Sequence, residues 1–315
     1  MTVPLITLSS GQVEAVIDPG QGADVLSLVD RRSGIDVLFR TPWRDRADGI
    51  RAGRPAANYD PVAGWFERYR GGWQTLCPNA GYPRTIHGAP VGFHGEAASV
   101  AWNASQEGDD RAQLNVELFS VPVRIERTIE LDGNTLRIRD LLTNLSDAEL
   151  EFDYSQHPAL GGDFLAGRCR IETGASRFVA DPDAPALMAP GSVHEWPHAV
   201  TSDGTPVDLR EVPQPESRRT LFGWLEGFDD AWASVTNLDL GLTVRLDWDR
   251  DQLPYAWFWQ ELNASEDFPW YRRARALAIE PASTQTSGPA RRSVLRLGPL
   301  ASTEMFINVG IENGK

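Results

Sequence analysis

The sequence predicts an all-β protein built as an antiparallel sandwich. Apolar and polar residues alternate with a period of two in short segments along the whole chain, as they do in half-buried strands. Turn residues separate these segments roughly every ten positions, and long helical periodicity is nearly absent. We predict one domain over residues 1–315; because a chain of 315 residues exceeds most single sandwiches, two sandwiches divided near residue 150 are the alternative.

The individual strands follow from this alternation. Residues 121–144 are predicted to form a hairpin, because an Asp-Gly pair, here Asp132-Gly133, is a strong turn signal between alternating segments. Residues 242–248 place Leu, Val, Leu and Trp on one face, and residues 303–311 do the same with Met, Ile, Val and Ile. The further predicted strands are 3–9, 12–18, 23–29, 113–119, 149–155, 232–238 and 292–297.

Two long segments are predicted to be loops. Residues 41–92 and 180–220 are rich in Gly, Pro, Asp and Arg and show little regular pattern. Loops of this length inside a compact domain usually carry function. We therefore expect binding residues in them.

Composition excludes several classes of function. The 44 acidic residues outweigh the 30 basic ones, which gives a net charge of -14 and opposes binding to nucleic acid. Lys315 is the only lysine, so Schiff-base chemistry, a pyridoxal phosphate anchor and a P-loop are excluded. Cys77 and Cys169 form no CxxC motif and are expected to be buried free thiols. The chain has no apolar run of membrane-spanning length and no signal-like start, so we expect a cytoplasmic protein without a membrane partner.

The polar residues that could carry chemistry lie in three settings. His87 and His94 belong to a segment rich in glycine and proline, which is better suited to a shaped pocket than to a core. His157 is predicted to end a strand and is followed by Pro158. Glu280 follows an apolar strand, where desolvation would raise the pKa of its carboxyl and make it a general base near neutral pH.

Other interpretations of these residues remain open at this point. A single His-Gly or His-Pro pair is commonly only a turn, and a Glu-Pro pair is commonly only the end of a strand. A metal site made of His87, His94, His157 and a glutamate is a weak alternative, since the sequence contains no HExxH motif. The GxSxG and GxGxxG motifs are also absent, so neither a serine triad nor a nicotinamide fold is supported.

The order of these motifs resembles the aldose 1-epimerase, or galactose mutarotase, family. The resemblance includes a His-Gly pair upstream of Trp102, a strand ending in His157-Pro158, and Glu280 before a proline late in the chain. It implies an antiparallel β-supersandwich that interconverts the α and β anomers of a sugar, with Glu280 as general base and His157 as general acid. A histidine near the sugar ring oxygen is also implied. We favour His94 over His87, because the distance from His94 to Trp102 fits the family better.

The resemblance also implies a substrate contact from Asn79, and it requires no metal or organic cofactor. Further expected substrate contacts are Gln74 in the pocket wall and Arg70 or Arg84 in place of the family's arginine. Trp259, Trp257 or Trp73 is expected to stack on the sugar. The sugar itself is not identified, because the family's arginine after Asn79 and its hydroxyl-binding aspartate have no match. Five arginines in the pocket-forming segments leave an anionic sugar open as the substrate, although they can equally solvate a lysine-poor surface. These arginines are Arg68, Arg70, Arg84, Arg272 and Arg273.

Two other classes of function remain open. A glycoside hydrolase on a similar sandwich would need a second carboxylate opposite Glu280, for which Glu96 and Glu261 are the candidates. A sugar-binding module without catalysis would bind the sugar but not turn it over. The sequence predicts no particular oligomeric state.

Overall fold

The alternation of apolar and polar residues becomes alternating burial along the strands of the structure, as in Leu242–Trp248. The computed structural model describes residues 3–184, 186–288, 291 and 295–314. The all-β prediction is confirmed. The strands are β1 (Ile6–Ser9), β2 (Val13–Asp18), β3 (Asp24–Asp30), β4 (Ile35–Asp36), β5 (Trp73–Leu76), β6 (Arg84–Ile86), β7 (Ala89–Val91), β8 (Asn103–Glu107), β9 (Arg111–Glu117), β10 (Val123–Asp132), β11 (Thr135–Asn144), β12 (Leu150–Phe152), β13 (Ser155–Gly161), β14 (Cys169–Thr173), β15 (Arg177–Ala180), β16 (Val193–Glu195), β17 (His198–Val200), β18 (Pro206–Asp208), β19 (Glu211–Val212), β20 (Arg219–Glu226), β21 (Trp232–Asn237), β22 (Leu242–Trp248), β23 (Tyr255–Leu262), β24 (Arg275–Ala282), β25 (Leu295–Leu297) and β26 (Ser302–Asn313).

Two large antiparallel sheets contain most of these strands. In the first, the order is β1-β2-β3-β5-β13-β24-β23-β20-β15-β16, with β4 paired to β3. In the second, the order is β19-β14-β21-β22-β26-β11-β10-β9-β8. One buried apolar cluster includes Phe258 and Ile279 from the first sheet and Ile125 and Ile307 from the second. Because the two sheets share this core, we propose that the chain forms one domain.

The predicted strands are found with small shifts at their ends. The hairpin of β10 and β11 is closed by Gly133 and Asn134, one position later than predicted, since Asp132 still pairs with Thr135. The segment 292–297 yields β25 over Leu295–Leu297, and residues 292–294 lie outside the described residues.

The prediction of long loops is wrong in part. The segment 41–92 contains helix α1 (Arg44–Arg51), helix α2 (Pro61–Arg68) and the strands β5, β6 and β7. Helix α2 starts where the Asp60 carboxylate accepts hydrogen bonds from the N–H groups of Val62 and Ala63, a typical N-cap. The segment 180–220 likewise contains the short strands β16 to β19. Neither α-helix exceeds eight residues, and no helix of the described chain has the length and apolarity that crossing a membrane requires.

The two faces of strand β24 contact different buried clusters. Leu277 and Ile279 belong to the core shared by the two sheets. Ala276 and Ala278 belong to a different buried cluster, on the face that also carries Glu280, since successive side chains of a strand point to opposite faces. The alternation of small and large residues in this strand therefore leaves room above the sheet, next to a carboxylate.

Candidate active site

A row of polar side chains crosses four neighbouring strands of the first sheet. Glu280 on β24 stands opposite His157 on β13, as the register of these strands requires. His157 is also paired with Gln74 on β5, and the register of β5 with β3 brings Asp24 opposite Gln74. Side chains opposite each other in antiparallel strands lie on one face, with their Cβ atoms about 5 Å apart. The sheet thus fixes an acid, an amide, an imidazole and a second acid side by side.

His157 and Glu280 form a close, buried pair. The distance from His157 Nε2 to Glu280 Oε1 is 3.7 Å, and only 6% of His157 and 2% of Glu280 is exposed. Neither Nδ1 of His157 nor Oε2 of Glu280 has a hydrogen-bond partner in the described chain. Burial lowers the pKa of His157 to about 4 and raises the pKa of Glu280 well above its usual value, because desolvation disfavours the charged form of each group.

The sequence predicted that His157 and Glu280 each lie at the end of a strand, and the structure shows that this prediction is wrong. β13 continues through Pro158 to Gly161, and β24 continues through Pro281 to Ala282. The described pairing between β13 and β24 is interrupted around His157 and Pro158. A proline removes one N–H donor but can still occupy an extended strand where the ladder is open.

His94 is the third titratable group of the site. Its ring centroid lies 6.0 Å from that of His157, and its Nδ1 accepts a hydrogen bond of 3.1 Å from the Gly81 N–H. The ring proton must therefore be on Nε2 in the neutral form. Burial, reinforced by the nearby His157 and Arg291, lowers the pKa of His94 well below its usual value. His94 is thus a neutral hydrogen-bond donor.

The His-Gly motif has a steric reason at this position. His94 has a φ of 59° and Gly95 a φ of 74°, both in the left-handed region that favours glycine. A Cβ atom on residue 95 would lie 2.4 Å from the Cys77 carbonyl oxygen, which is closer than any side chain tolerates. Glycine at 95 therefore lets the segment that carries His94 pack against the strand end at Cys77.

These three residues line a cleft of about 630 Å³ with largely aromatic walls. Trp259 lies 6.0 Å from His157 between ring centroids, and Trp65 lies 4.6 Å from His94. Further aromatic lining comes from helix α2, from the segment after His87, and from the loop after β23, through Phe66, Tyr69, Phe93, Phe268 and Trp270. Such a surface stacks on the apolar faces of sugar rings.

Tyr69 was not among the site residues predicted from the sequence. Its ring stacks on Trp65 with a centroid distance of 4.7 Å and meets the His157 ring at 5.9 Å. Its hydroxyl is buried without a hydrogen-bond partner in the described chain, although the residue lines the cleft. Burial, with Glu280 and Asp24 nearby, raises the pKa of Tyr69 well above its usual value. The signal in the sequence was its place one turn after Trp65 at the end of a short helix that was not predicted.

Arg70 and Gln74 are buried and are not among the described residues that line the cleft. Arg70 Nη1 is 2.7 Å from Asp18 Oδ2, and Gln74 Nε2 donates a 3.2 Å hydrogen bond to Asp24. Burial raises the pKa of Asp24 to about 7, even though Arg70 opposes this shift. The structure therefore places these two predicted substrate contacts in a buried polar cluster with Asp18 and Asp24, at the end of the polar row away from Glu280.

His87 and Asn79 lie outside the cleft as well. His87 occupies the exposed turn between β6 and β7, where its Nε2 accepts a hydrogen bond from the Glu151 N–H. Asn79 is buried and clamps the surrounding loops, since its amide donates to the Gly92 carbonyl and its oxygen accepts from Arg291. Of the predicted site residues, the structure brings together His157, Glu280, His94 and Trp259.

The charges around the cleft are negative. Neither Arg nor Lys is among the described residues that line it, whereas Asp183, Glu266 and Asp267 are. Arg272, one of the arginines that left an anionic sugar open, pairs with Glu266. Arg70 is occupied by Asp18. Arg70 and Arg272 are therefore not available to bind an anionic sugar, because each neutralises a neighbouring carboxylate.

The two carboxylates that a hydrolase would use are engaged elsewhere. Glu96 accepts hydrogen bonds from the N–H groups of Phe119 and Ser120. Glu261 accepts from the N–H groups of Ala264 and Ser265 and from the Ser265 hydroxyl. Neither residue lines the cleft in the described structure. In the same ranges, no group of three or more His, Cys, Asp or Glu side chains is placed to hold a metal ion.

A protein-family model described as a domain of unknown function, DUF4432, matches residues 5–297. The chain belongs to the DUF4432 family. No curated protein sequence matches this DUF4432 protein. Solved structures similar to it include a putative aldose 1-epimerase from Escherichia coli K12, with a TM-score of 0.68, 17% identity, and coverage of 98% of this chain and 99% of that one.

Two further structures agree. A galactose mutarotase-like protein from Lactobacillus casei has a TM-score of 0.69 at 15% identity and covers 98% of this chain and 100% of its own. The GalM/aldose epimerase homologue from C. elegans has a TM-score of 0.67 at 16% identity, with 99% of each chain covered. The DUF4432 protein therefore has the galactose mutarotase-like fold, which confirms the resemblance drawn from its motifs.

Proposed function

We propose that this DUF4432 protein is an aldose 1-epimerase that interconverts the α and β anomers of an uncharged sugar. The observation that carries the proposal is the pair of His157 Nε2 and Glu280 Oε1, 3.7 Å apart at the buried floor of an aromatic cleft. An imidazole and a carboxyl group at this distance can exchange protons with both oxygen atoms bonded to one anomeric carbon, the ring oxygen and the C1 hydroxyl.

The reaction requires two proton transfers. As the bond between C1 and the ring oxygen breaks, the ring oxygen gains a proton and the C1 hydroxyl loses one, so the sugar opens to its aldehyde. Rotation about the bond between C1 and C2 then presents the other face of the carbonyl carbon, and the two transfers run in reverse. His94, as a neutral donor close to His157, supplies a hydrogen bond to the ring oxygen. Positioned acid and base groups typically contribute about 100- to 10,000-fold.

The pair must hold one proton in total. The residue that holds the proton donates it to the ring oxygen, and the other residue accepts the proton of the C1 hydroxyl. The family resemblance makes Glu280 the base and His157 the acid. Burial, however, favours the uncharged form of each group, so this assignment requires a proton to move from Glu280 to His157 first. The one-proton state belongs to the pair, as is usual for strongly coupled groups.

The charge of the lining favours an uncharged sugar over a phosphorylated or sulfonated one. Oxyanion recognition generally uses arginine forks, and the described lining offers carboxylates in their place. The engagement of Glu96 and Glu261 in backbone hydrogen bonds removes these two candidates for the second carboxylate that a glycoside hydrolase needs.

The proposal is tested by following freshly dissolved α-glucose and α-galactose by polarimetry or by NMR exchange. Glu280→Gln and His157→Asn should each lower kcat by about 100- to 10,000-fold. The matched controls are Glu304→Gln and His198→Asn, both at exposed positions away from the cleft, and both should retain the wild-type rate. Near-wild-type rates in the two cleft variants would refute the mechanism. Sugar binding without acceleration by the wild-type protein would favour the binding module.

A further inference from the structure

The cleft extends well beyond the catalytic pair. Its volume of about 630 Å³ lies in the range that encloses drug-sized ligands, which are larger than one hexose. The exposed fraction rises from 2% for Glu280 at the floor to 53% for Phe268 at the mouth. The cleft therefore has a deep end that contains the catalytic pair and an outer end that does not.

A continuous aromatic wall connects the two ends. From His157 the ring centroids step 6.0 Å to Trp259, 5.4 Å from Trp259 to Trp270, and 5.5 Å from Trp270 to Phe66. A final step of 6.0 Å leads from Phe66 to Phe268. One sugar ring stacked beside His157 covers only the first of these rings. The rings beyond Trp259 continue past the place of that sugar, and the last of them, Phe268, is 53% exposed.

Polar side chains also line the cleft. Thr220, Ser287 and Asp183 line it, and they can hydrogen-bond to hydroxyl groups. Aromatic rings that stack and side chains that hydrogen-bond are together suited to a carbohydrate, which has apolar ring faces and polar hydroxyl edges. The Asp183 carboxylate and the lack of basic residues in the described lining select against anionic groups.

We propose that the outer end of the cleft is a second sugar-binding subsite, so that the substrate is the free reducing end of an uncharged disaccharide or oligosaccharide. This inference rests on the proposed epimerase function. Ring opening requires a free C1 hydroxyl on the sugar held by His157 and Glu280. The second sugar must therefore be linked through another hydroxyl of that ring, and it lies along Trp270, Phe66 and Phe268 towards the mouth.

The test compares glucose with maltose, cellobiose and lactose. Mutarotation rates give KM and kcat, and calorimetry gives the binding constants. We expect at least one disaccharide to have a KM and a Kd about tenfold below those of glucose. Phe268→Ala should raise both constants about five- to tenfold for that disaccharide and leave those for glucose unchanged. The matched control is Phe119→Ala, because Phe119 is 99% exposed and is not among the residues that line the cleft.

The outcomes separate the subsite from the epimerase function. Tight disaccharide binding that weakens in Phe268→Ala supports the subsite even if no anomer exchange is accelerated, in which case only the epimerase proposal fails. Acceleration with equal KM and Kd for glucose and all three disaccharides would overturn the subsite while the epimerase proposal stands. Disaccharide binding that does not change in Phe268→Ala would also overturn it, as would the absence of binding of all four sugars.

Discussion

His157 and Glu280 stand directly opposite each other on adjacent antiparallel strands, with 3.7 Å between Nε2 and Oε1. Because both side chains project from the same sheet, the ladder around them fixes their separation, and no loop has to close to bring them together. Sites built on strands are held more precisely than sites on loops. The separation of the pair is therefore set by the fold and does not depend on a bound ligand.

The pair predicts a broad plateau in the dependence of kcat on pH. Burial lowers the pKa of His157 to about 4 and raises that of Glu280, so one proton is held over the whole range between. Below about pH 4 the pair gains a second proton and has no base; at high pH it loses its only proton and has no acid. Mutarotation rates from pH 3 to 10 check this. A narrow optimum centred near the usual histidine pKa would contradict it.

His94 and His87, the two candidates for the contact with the sugar ring oxygen, are predicted to affect kcat differently when they are replaced. In His94→Asn, the amide oxygen replaces Nδ1 as acceptor for the Gly81 N–H, but the Nε2 donor is lost. We expect kcat to fall by about 100-fold or more, as when one donor to a developing charge is removed. His87→Asn should leave kcat unchanged, because His87 is exposed and bonded to Glu151. Equal losses in both variants would show that the cleft is misassigned.

The Tyr69 hydroxyl is predicted to contact the sugar. It lines the cleft beside His157 without a hydrogen-bond partner in the described chain, and a hydroxyl of the substrate would satisfy it. Tyr69→Phe should lower kcat/KM by about tenfold and keep the stacking on Trp65. Tyr255→Phe is the matched control, since Tyr255 is half-buried outside the cleft. An unchanged kcat/KM in Tyr69→Phe would rule out the contact.

Substrate charge gives a separate prediction. Glucose 6-phosphate should have a kcat/KM at least about tenfold below that of glucose, because Asp183 and Asp267 line the cleft and no basic residue is among its described lining. Added salt should narrow this gap, since screening weakens the repulsion between exposed charges. The measurement is the anomer exchange rate of both sugars at low and high ionic strength. A preference for the phosphorylated sugar would contradict an uncharged substrate.

Much of the fold could be predicted from the sequence because strands depend on local patterns. Alternation with a period of two specifies strands such as β22, and the small and large residues of β24 alternate on its two faces. The motifs around His157 and Glu280 pointed to this pair only through their shared order with the aldose 1-epimerase family, since each motif alone is also a common turn or strand end. Their juxtaposition, however, depends on the register between β13 and β24, which no single segment specifies.

The remaining site residues could not be predicted because the direction of each side chain is decided by tertiary packing. Tyr69 and Arg70 are neighbours in the sequence, yet Tyr69 lines the cleft while Arg70 pairs with Asp18 and is not among the described lining. Helix α2 was missed because it has only eight residues. Its signals, Asp60 before Pro61, are also turn signals in a chain rich in both residue types.

The buried carboxyl of Glu280 should reduce stability at neutral pH. Its pKa in the unfolded chain is near the usual 4.5, and burial raises it well above this in the folded state. Above pH 4.5 the unfolded chain releases this proton while the folded chain keeps it, so the free energy of unfolding falls as pH rises towards the folded pKa. Glu280→Gln lacks this penalty. We therefore expect its Tm to exceed that of the wild type at pH 8 by a few degrees, and the difference to vanish near pH 4.

The substitution Glu67→Gln should change Tm in the opposite direction, because the Glu67 carboxylate stabilises the folded protein. Burial alone would raise the pKa of Glu67. Hydrogen bonds from the N–H groups of Ala57 and Asn58 and from Arg46 outweigh this effect and lower the pKa to about 2. This carboxylate therefore stabilises the fold above its unfolded pKa, and the stabilisation is lost as pH falls towards 2. Thermal unfolding of both variants from pH 4 to 8 should show a gain in Tm for Glu280→Gln and a loss for Glu67→Gln, each largest at the alkaline end. A Tm for Glu280→Gln below that of the wild type at pH 8 would mean that the Glu280 carboxylate is ionised and stabilised in the folded protein, with His157 carrying the proton.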